Sequence, residues 1–454
     1  MKRYEEYKDI GLPWYPQGVP SHWDLMRHKN VLEEHKELVG KNADNYTLLS
    51  LSVNGVIIRD LSEGKGKFSK DYDKYVVVDK GDFVFCLFDV DETPRTVGLS
   101  HNHGMITGAY DVFHPHDINS EYFYYYYLAL DNTKALKPLY SGLRKVIPYP
   151  SFMATKFPVP PRSEQDQIVR YLDWQVSKIN HLIHGYQKQI KLLDERKTTV
   201  INEAVTHGVH ADVEMQPVEA NWVKEIPAHW EFNKVKQHFE IKKRIAGKEG
   251  YDVISITQQG LKVKDIASNE GQMAANYSKY QFVYPGDYAM NHMDLLTGFI
   301  GLSDFFGVTS PDYRVFSAID VERTDLKYFL YVFQLGYKRK IFYGLGRGAA
   351  NKGRWRMPAI NFKNYDIPVP PIEEQREIVE YIEQETEKID LLKKEVEKHI
   401  EYLREYRTRL ISDVVTGQID VRDVVIPEYT PDEDTEIDTD DTGEDVEEVA
   451  EDAE

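Results

Sequence analysis

Two stretches of the chain carry apolar residues at steps of three, four and seven. In the first, Ile168, Leu172, Ile179, Leu182, Tyr186, Ile190, Leu193 and Val200 fall on one stripe. In the second, Ile378, Ile382, Ile389, Leu392, Val396, Ile400, Leu403 and Leu410 do the same. Charged residues such as Lys188, Lys191, Glu387, Lys388 and Glu397 stand between them. This spacing predicts helices that pack one face against a partner helix. Each stretch begins after a proline pair, Pro160-Pro161 or Pro370-Pro371, which blocks helix upstream. Ser163 is the expected cap of the first helix, with Glu164 and Asp166 in its first turn; Glu373 and Glu374 occupy that turn in the second. Each helix would run about 44 residues, or about 65 Å. A lone helix of that length exposing such a stripe would be unstable or sticky, so the two should pack together. An ordinary core pair inside one domain would show the same stripe at shorter length. The chain returns through a globular segment between them, so the pair should be antiparallel.

Ahead of each helix the pattern changes. Over about 150 residues, short strand-like runs (Tyr75 to Val78, Phe83 to Phe88, Phe282 to Tyr284) alternate with Gly-Asp, Asn-Gly and Pro-Gly turns. The tyrosine-rich run Tyr122 to Leu130 reads as part of a buried helix.

The whole pattern is written twice. Gly18-Val-Pro-Ser-His-Trp23 returns as Glu225-Ile-Pro-Ala-His-Trp230, and Ser50 to Gly55 as Ser255 to Gly260. Lys74-Tyr75 and Gly81-Asp82 match Lys279-Tyr280 and Gly286-Asp287, and Gly98 to Ser100 match Gly301 to Ser303. Phe157 to Pro161 match Ile367 to Pro371, and the register then holds to Val205-Thr206 and Val415-Thr416. The offset drifts only from 203 to 210 residues, which chance does not produce over so many ordered matches.

The 454 residues allow two to four domains, and 41% hydrophobic with 29% charged content suits globular cores. No run reaches the length of a membrane helix, and the first residues, MKRYEEYKDIG, lack the apolar core of a signal peptide. One cysteine excludes an internal disulfide framework, which fits a cytoplasmic location. The net charge of −19 argues at first against nucleic acid. However, 15 acidic residues and no Lys or Arg lie between Pro427 and Glu454, which leaves −4 on residues 1–426. That tail is expected to be disordered: a solubility tail, or a competitor for a DNA groove or docking partner.

The duplication tests each candidate chemistry, because a group needed in both copies should recur. Cys86 aligns with Asn291, which argues against a catalytic thiol. His101, His103, His114 and His116 suggest a metal cluster, yet Asp304 and Phe306 replace His101 and His103, so no metal is expected. There is no GxxxxGK[ST] phosphate loop and no Asp/Asn-Pro-Pro-Tyr/Phe motif of adenine-type methyltransferases. A catalytic residue is therefore not expected in this chain. Basic and aromatic residues are the positive signal. Residues 337–356 contain Lys338, Arg339, Arg347, Lys352, Arg354 and Arg356 among glycines and aromatics, and the matching place in the first copy holds Arg144 and Lys145. Such residues neutralise phosphates, and Arg forks onto guanine edges. A solvated basic loop would look alike, but its repetition before the same proline-rich entry favours DNA. Arg59 with Lys264, and Lys74 with Lys279, are weaker paired candidates.

The repeated Ile/Val-Pro-x-His-Trp and Pro-Val-Pro-Pro-x-x-Glu-Gln-x-x-Ile-Val (Pro158 to Val169, Pro368 to Val379), each followed by a long helix, resemble the specificity subunit of type I restriction–modification systems over residues 10–420. The resemblance implies an α+β fold with an internal pseudo-two-fold repeat: two similar mixed α/β target-recognition domains separated by an antiparallel two-helix coiled-coil spacer. It places recognition domains at 1–161 and 211–371, spacer helices at 162–210 and 372–420, and the acidic tail at 427–454. It implies sequence-specific binding of double-stranded DNA at a split, asymmetric site. Two modification subunits would use S-adenosylmethionine to methylate adenine N6, restriction subunits would use ATP and Mg, and this chain would bind no cofactor. A duplicated protein-interaction scaffold, or a fused restriction enzyme with its own catalytic site, are the rival readings.

Overall fold

The computed structural model describes residues 2–15, 17–59, 72–90, 92–142, 145–265, 276–348 and 355–429. The acidic-tail expectation from residue 430 onward falls outside them. The chain divides into two compact units, one from the start to Gln187 together with the chain from Glu397, the other Lys188–Val396.

Both units build the same sheet in the same order. In unit 1, Leu32–Glu34, Asp111–Pro115, Phe83–Phe85 and Val97–Leu99 form a four-stranded antiparallel sheet. In unit 2, Phe239–Lys242, Arg314–Ala318, Tyr288–Met290 and Ile300–Leu302 repeat it. The pairings Asp111↔Phe85 and Arg314↔Met290 fix which residues correspond. Two of the strand-like runs come out shorter than their sequence patterns, at Val76–Val78 and Phe83–Phe85, and the third is shifted by one residue to Gln281–Val283.

Aromatic residues fill both cores, because a short strand buries most area with a large ring. In unit 1, helix α1 (Ser120–Asn132) lays Phe123 and Tyr127 against Phe83 and Phe85, and Phe152 of α2 (Tyr149–Ala154) closes the cluster. Asn119 caps α1 by accepting from the Tyr122 amide. His28 is trapped there as a core residue: burial pulls its pKa down to about 4, and it bonds the Tyr127 hydroxyl. In unit 2 the short α4 (Val235–His238) leads into the sheet, and α5 (Leu326–Lys338) brings Phe329 and Phe333 onto Phe239. The one-turn helices α6 (Ile341–Gly344) and α7 (Ala359–Lys363) follow, Phe362 of α7 taking the place of Phe152.

The two long helices are α3 (Arg162–His207) and α8 (Ile372–Val415), and each contributes to both units. Ser163 lies inside α3 rather than capping it. Pro161 supplies the first carbonyl, which accepts from the Gln165 amide, as Pro371 does for Gln375. Within unit 1, Asn180 faces Arg407 at 2.6 Å and Tyr186 meets His399. Within unit 2, Asp194 faces Lys393 and Lys197 faces Asp390 at 2.7 Å. Residue numbers rise on one helix as they fall on the other, so the pairing is antiparallel in each unit.

The seam follows an unbroken three–four rhythm that includes polar positions. Ile168, Leu172 and Ile179 are buried on α3, and Tyr186, Ile190 and Leu193 are half-buried. Ile378, Ile382, Ile389, Val396 and Ile400 are buried on α8, and Leu403 is half-buried. Leu182 and Leu392, expected on the seam, are instead 53% and 52% exposed. The step from Ile179 reaches Ile183, which is buried, and the step from Ile389 reaches Lys393. A continuous heptad takes the residue its phase dictates, apolar or not.

The repeated motifs meet one another. The Glu164 carboxylate, 5% exposed, accepts from the Trp23 indole at 2.9 Å, the Tyr4 hydroxyl at 2.6 Å and the His22 ring. Glu374 takes the His229 ring at 2.8 Å. Gln165 binds the Asn119 amide and the Pro160 carbonyl; Gln375 binds the Asp325 amide and the Pro370 carbonyl. The opening of each unit also packs on the end of the other long helix. Gly417, at φ +71°, lies so close to Pro20 that a Cβ would strike it, and Gly208, at φ +78°, lies under Trp230.

Candidate nucleic-acid interface

The strongest sequence candidates sit on one neck. Arg347 and Arg356 exchange both backbone hydrogen bonds, at 2.9 and 3.2 Å, so their side chains leave one face of a two-residue ladder. Both are exposed. Lys352 and Arg354 belong to the segment between them and fall outside the described residues. Trp355 anchors the neck: its ring stacks on Tyr343 at 5.5 Å and its indole donates to the Tyr343 carbonyl. Gly346 leaves room for it, since a Cβ there would run into the Trp355 ring. The matching neck in unit 1 is the bridge Ser141↔Val146. Lys145 lies inside that turn and pairs with Glu92, and Arg144 falls outside the described residues.

The other candidates are scattered. Arg59 and Lys264 follow the second strand of equivalent hairpins, their amides bonded to Leu48 and Val253. Lys74 and Lys279 are exposed just before the strands Val76–Val78 and Gln281–Val283. Lys338 closes α5. Arg339 points back at α3, where its guanidinium binds the Asn202 side chain and the Trp222 carbonyl, so it ties unit 2 together.

The histidines of unit 1 surround a carboxylate. Asp82, fully buried, takes the His35 ring on one oxygen at 2.8 Å and the His114 ring on the other at 2.9 Å, while His103 binds Asp79. His35, Asp79 and Asp82 each bring a ligand-type atom within 4.8 Å of the others. The second copy shows what the shared job is. Asp287 accepts from the Tyr284 amide as Asp82 does from the Asp79 amide, and its partner is Arg244 at 2.6 Å. A guanidinium is no metal ligand, so the role common to both units is to hold the Gly-Asp turn and balance a buried charge.

Sequence reasoning missed Lys243, His292 and Arg314: strand register brings Lys243 next to Arg314, and His292 feels the charges of Arg314, Arg356 and Lys243. Arg314 is 5% exposed, donates to the Met357 carbonyl at 2.8 Å and covers the Phe362 ring at 5.0 Å. Burial lowers its pKa to about 10. The Met357 amide in turn binds the His292 carbonyl at 2.9 Å. Only sheet register brings these residues together. The run Lys242-Lys243-Arg244 was the visible hint.

The chain matches the family model for the type I restriction modification DNA specificity domain twice, at residues 58–192 and 227–402. It belongs to this family. Two similar relatives from Methanocaldococcus jannaschii are the type I restriction enzyme MjaVIII specificity subunit, 24% identical over 292 residues, and the putative type I restriction enzyme MjaX specificity subunit, 25% identical over 283. The matches span 60% and 59% of this chain, and 64% and 60% of those relatives, less than two thirds of either. A chain solved in a study of assembly and conformational transition of a type I restriction–modification system shares the fold, with a TM-score of 0.57 at 15% identity, covering 89% of this chain and all of that one. The fold class is therefore α+β with a duplicated specificity domain, and each family match falls within one copy of the repeat. Among the described residues, no helix is long and apolar enough to cross a membrane.

Proposed function

We propose that this chain is the sequence-reading subunit of a type I restriction–modification complex and performs no chemistry itself. Residues 1–161 and 211–371 would each read one half of a split, asymmetric site in double-stranded DNA. The helices spanning 162–210 and 372–420 would fix the gap between the halves. Two modification subunits would dock on the chain and methylate adenine N6 with S-adenosylmethionine, and restriction subunits would add ATP- and Mg-dependent cleavage in the cytoplasm.

The observation that carries this reading is the duplication of one sheet and one motif set around unlike loops. Two copies of one scaffold with different surfaces suit two different half-sites, because loops can vary while the frame stays constant. The arginine pair on the unit 2 neck supplies side chains suited to phosphates and guanine edges. Genome-wide mapping of adenine methylation, in cells with and without the chain, tests it. A bipartite motif methylated only when the chain is present is expected. Identical methylation in both would refute the reading.

A further inference from the structure

The two units carry opposite charge patterns at one place where their folds coincide. Register identifies four equivalent positions. Asp111 and Arg314 are matched by their pairing to Phe85 and Met290. Lys36 and Lys243 each follow by two residues the partner of a matched phenylalanine, Glu34 opposite Phe113 and Ile241 opposite Phe316. Leu87 and His292 each accept the amide of the residue after the neck, Ile147 or Met357. Val146 and Arg356 close the two necks.

In unit 1 these positions hold Asp111, Lys36, Leu87 and Val146, and Lys36 is paired with Glu34. One cation there faces two carboxylates, Glu34 and Asp111. In unit 2 they hold Arg314, Lys243, His292 and Arg356, with apolar Ile241 in the place of Glu34. Among the described residues, none of Lys243, Arg314 and Arg356 shows an ion pair with a carboxylate; Lys243 donates to the Pro311 carbonyl instead. The His292 Nδ1 is buried without a hydrogen-bond partner among the described residues. Burial first, then Arg314, Arg356 and Lys243, hold this imidazole neutral down to about pH 4. Gathering cations without a counter-charge costs stability through mutual repulsion. Such a gathering is what a polyanion needs, since Lys and Arg that face phosphates displace condensed counterions.

We propose that Lys243 and Arg356, braced from behind by Arg314 and flanked by His292, grip a hydrogen-bond-accepting group of DNA in unit 2, a phosphate oxygen or a guanine edge, and that unit 1 makes no such contact at the equivalent place. This rests on the DNA-reading function above. Arg314 is a positioning residue, because it holds Met357 and so the direction of Arg356.

The test uses the full chain and a labelled random-sequence duplex, with affinity measured across a salt series. Lys243 and Arg356 are exposed, so the substitutions Lys243→Ala and Arg356→Ala spare the core. Loss of phosphate contacts lowers the slope of log affinity against log salt by about one for each contact, uniformly over sequences. A guanine contact leaves the slope in place but relaxes one position of the selected sequence. Either result supports the proposal, provided Lys36→Ala in unit 1 leaves both readouts unchanged. It is overturned if the double variant Lys243→Ala/Arg356→Ala keeps both the wild-type salt slope and the wild-type selected sequence, or if Lys36→Ala changes either readout as much. Failure of the wild-type chain to show any salt-dependent duplex binding would instead refute the DNA-reading function itself.

Discussion

At the scale of single residues, the repeated motifs turn out to be structural. His22 and Trp23 meet Glu164, and His229 meets Glu374, so each opening motif is tied to the start of a long helix. Glu164 satisfies three buried or half-buried donors, and removing it would leave the Tyr4 hydroxyl and the Trp23 indole without their acceptor. Glu164→Ala should cost about 3 kcal/mol of unit 1 stability in urea unfolding. Glu374→Ala should cost less, because the Trp230 indole already lacks a partner. Equal losses would contradict this account. Asp111 gives a pH-dependent counterpart. Burial, and then repulsion from Glu34, raise its carboxyl to about 6, although Lys36 pulls it back. The folded state then holds this proton more tightly than the unfolded chain does. Its stabilising share is complete below the unfolded carboxyl range near pH 4 and is lost as pH rises through about 6. Asp111→Asn should flatten that fall and stabilise the chain above pH 6 by about 1–2 kcal/mol. Chemical denaturation at pH 4.5 and pH 7.5 (about 1.5 units either side of 6) checks it; an unchanged pH profile would exclude it.

At the scale of elements, the two long helices show how far periodicity reaches. Their existence and their buried stripes were legible because the apolar step is local and repeats over many turns. Leu182 and Leu392 were misplaced because apolar character was taken as the guide, whereas packing obeys phase. The seam keeps its rhythm by admitting Lys197, Lys393 and Arg407, which find partners in Asp390, Asp194 and Asn180 across the pair. Polar seam positions specify register at some cost in stability. If the helices set the gap between half-sites, inserting one turn should move a reader by about 6 Å, close to two base-pair steps. The methylated motif should then gain or lose spacer length while both half-sites stay the same. Altered half-sites with constant spacing would count against a ruler role.

At the scale of the whole molecule, the sequence alone determined the duplication, the α+β class, the two long helices and the family. These follow from order along the chain: a motif repeats, an apolar step recurs, a proline pair blocks a helix. None needs knowledge of what lies opposite. The meeting of Arg356 with His292, Arg314 and Lys243 was decided only in three dimensions, as was the grouping of Asp111, Glu34 and Lys36 in unit 1. Those residues are far apart in the chain and come together through strand register, which depends on which pleat faces which neighbour. The same reason explains the histidines: four in one sequence region looked like a metal cluster, while the fold sends three of them, His103, His114 and His116, to Asp79, Asp82 and the solvent-facing Asp117. Periodicity along the chain therefore fixed the elements, and the pairing of strands distant in sequence fixed which charges share a surface.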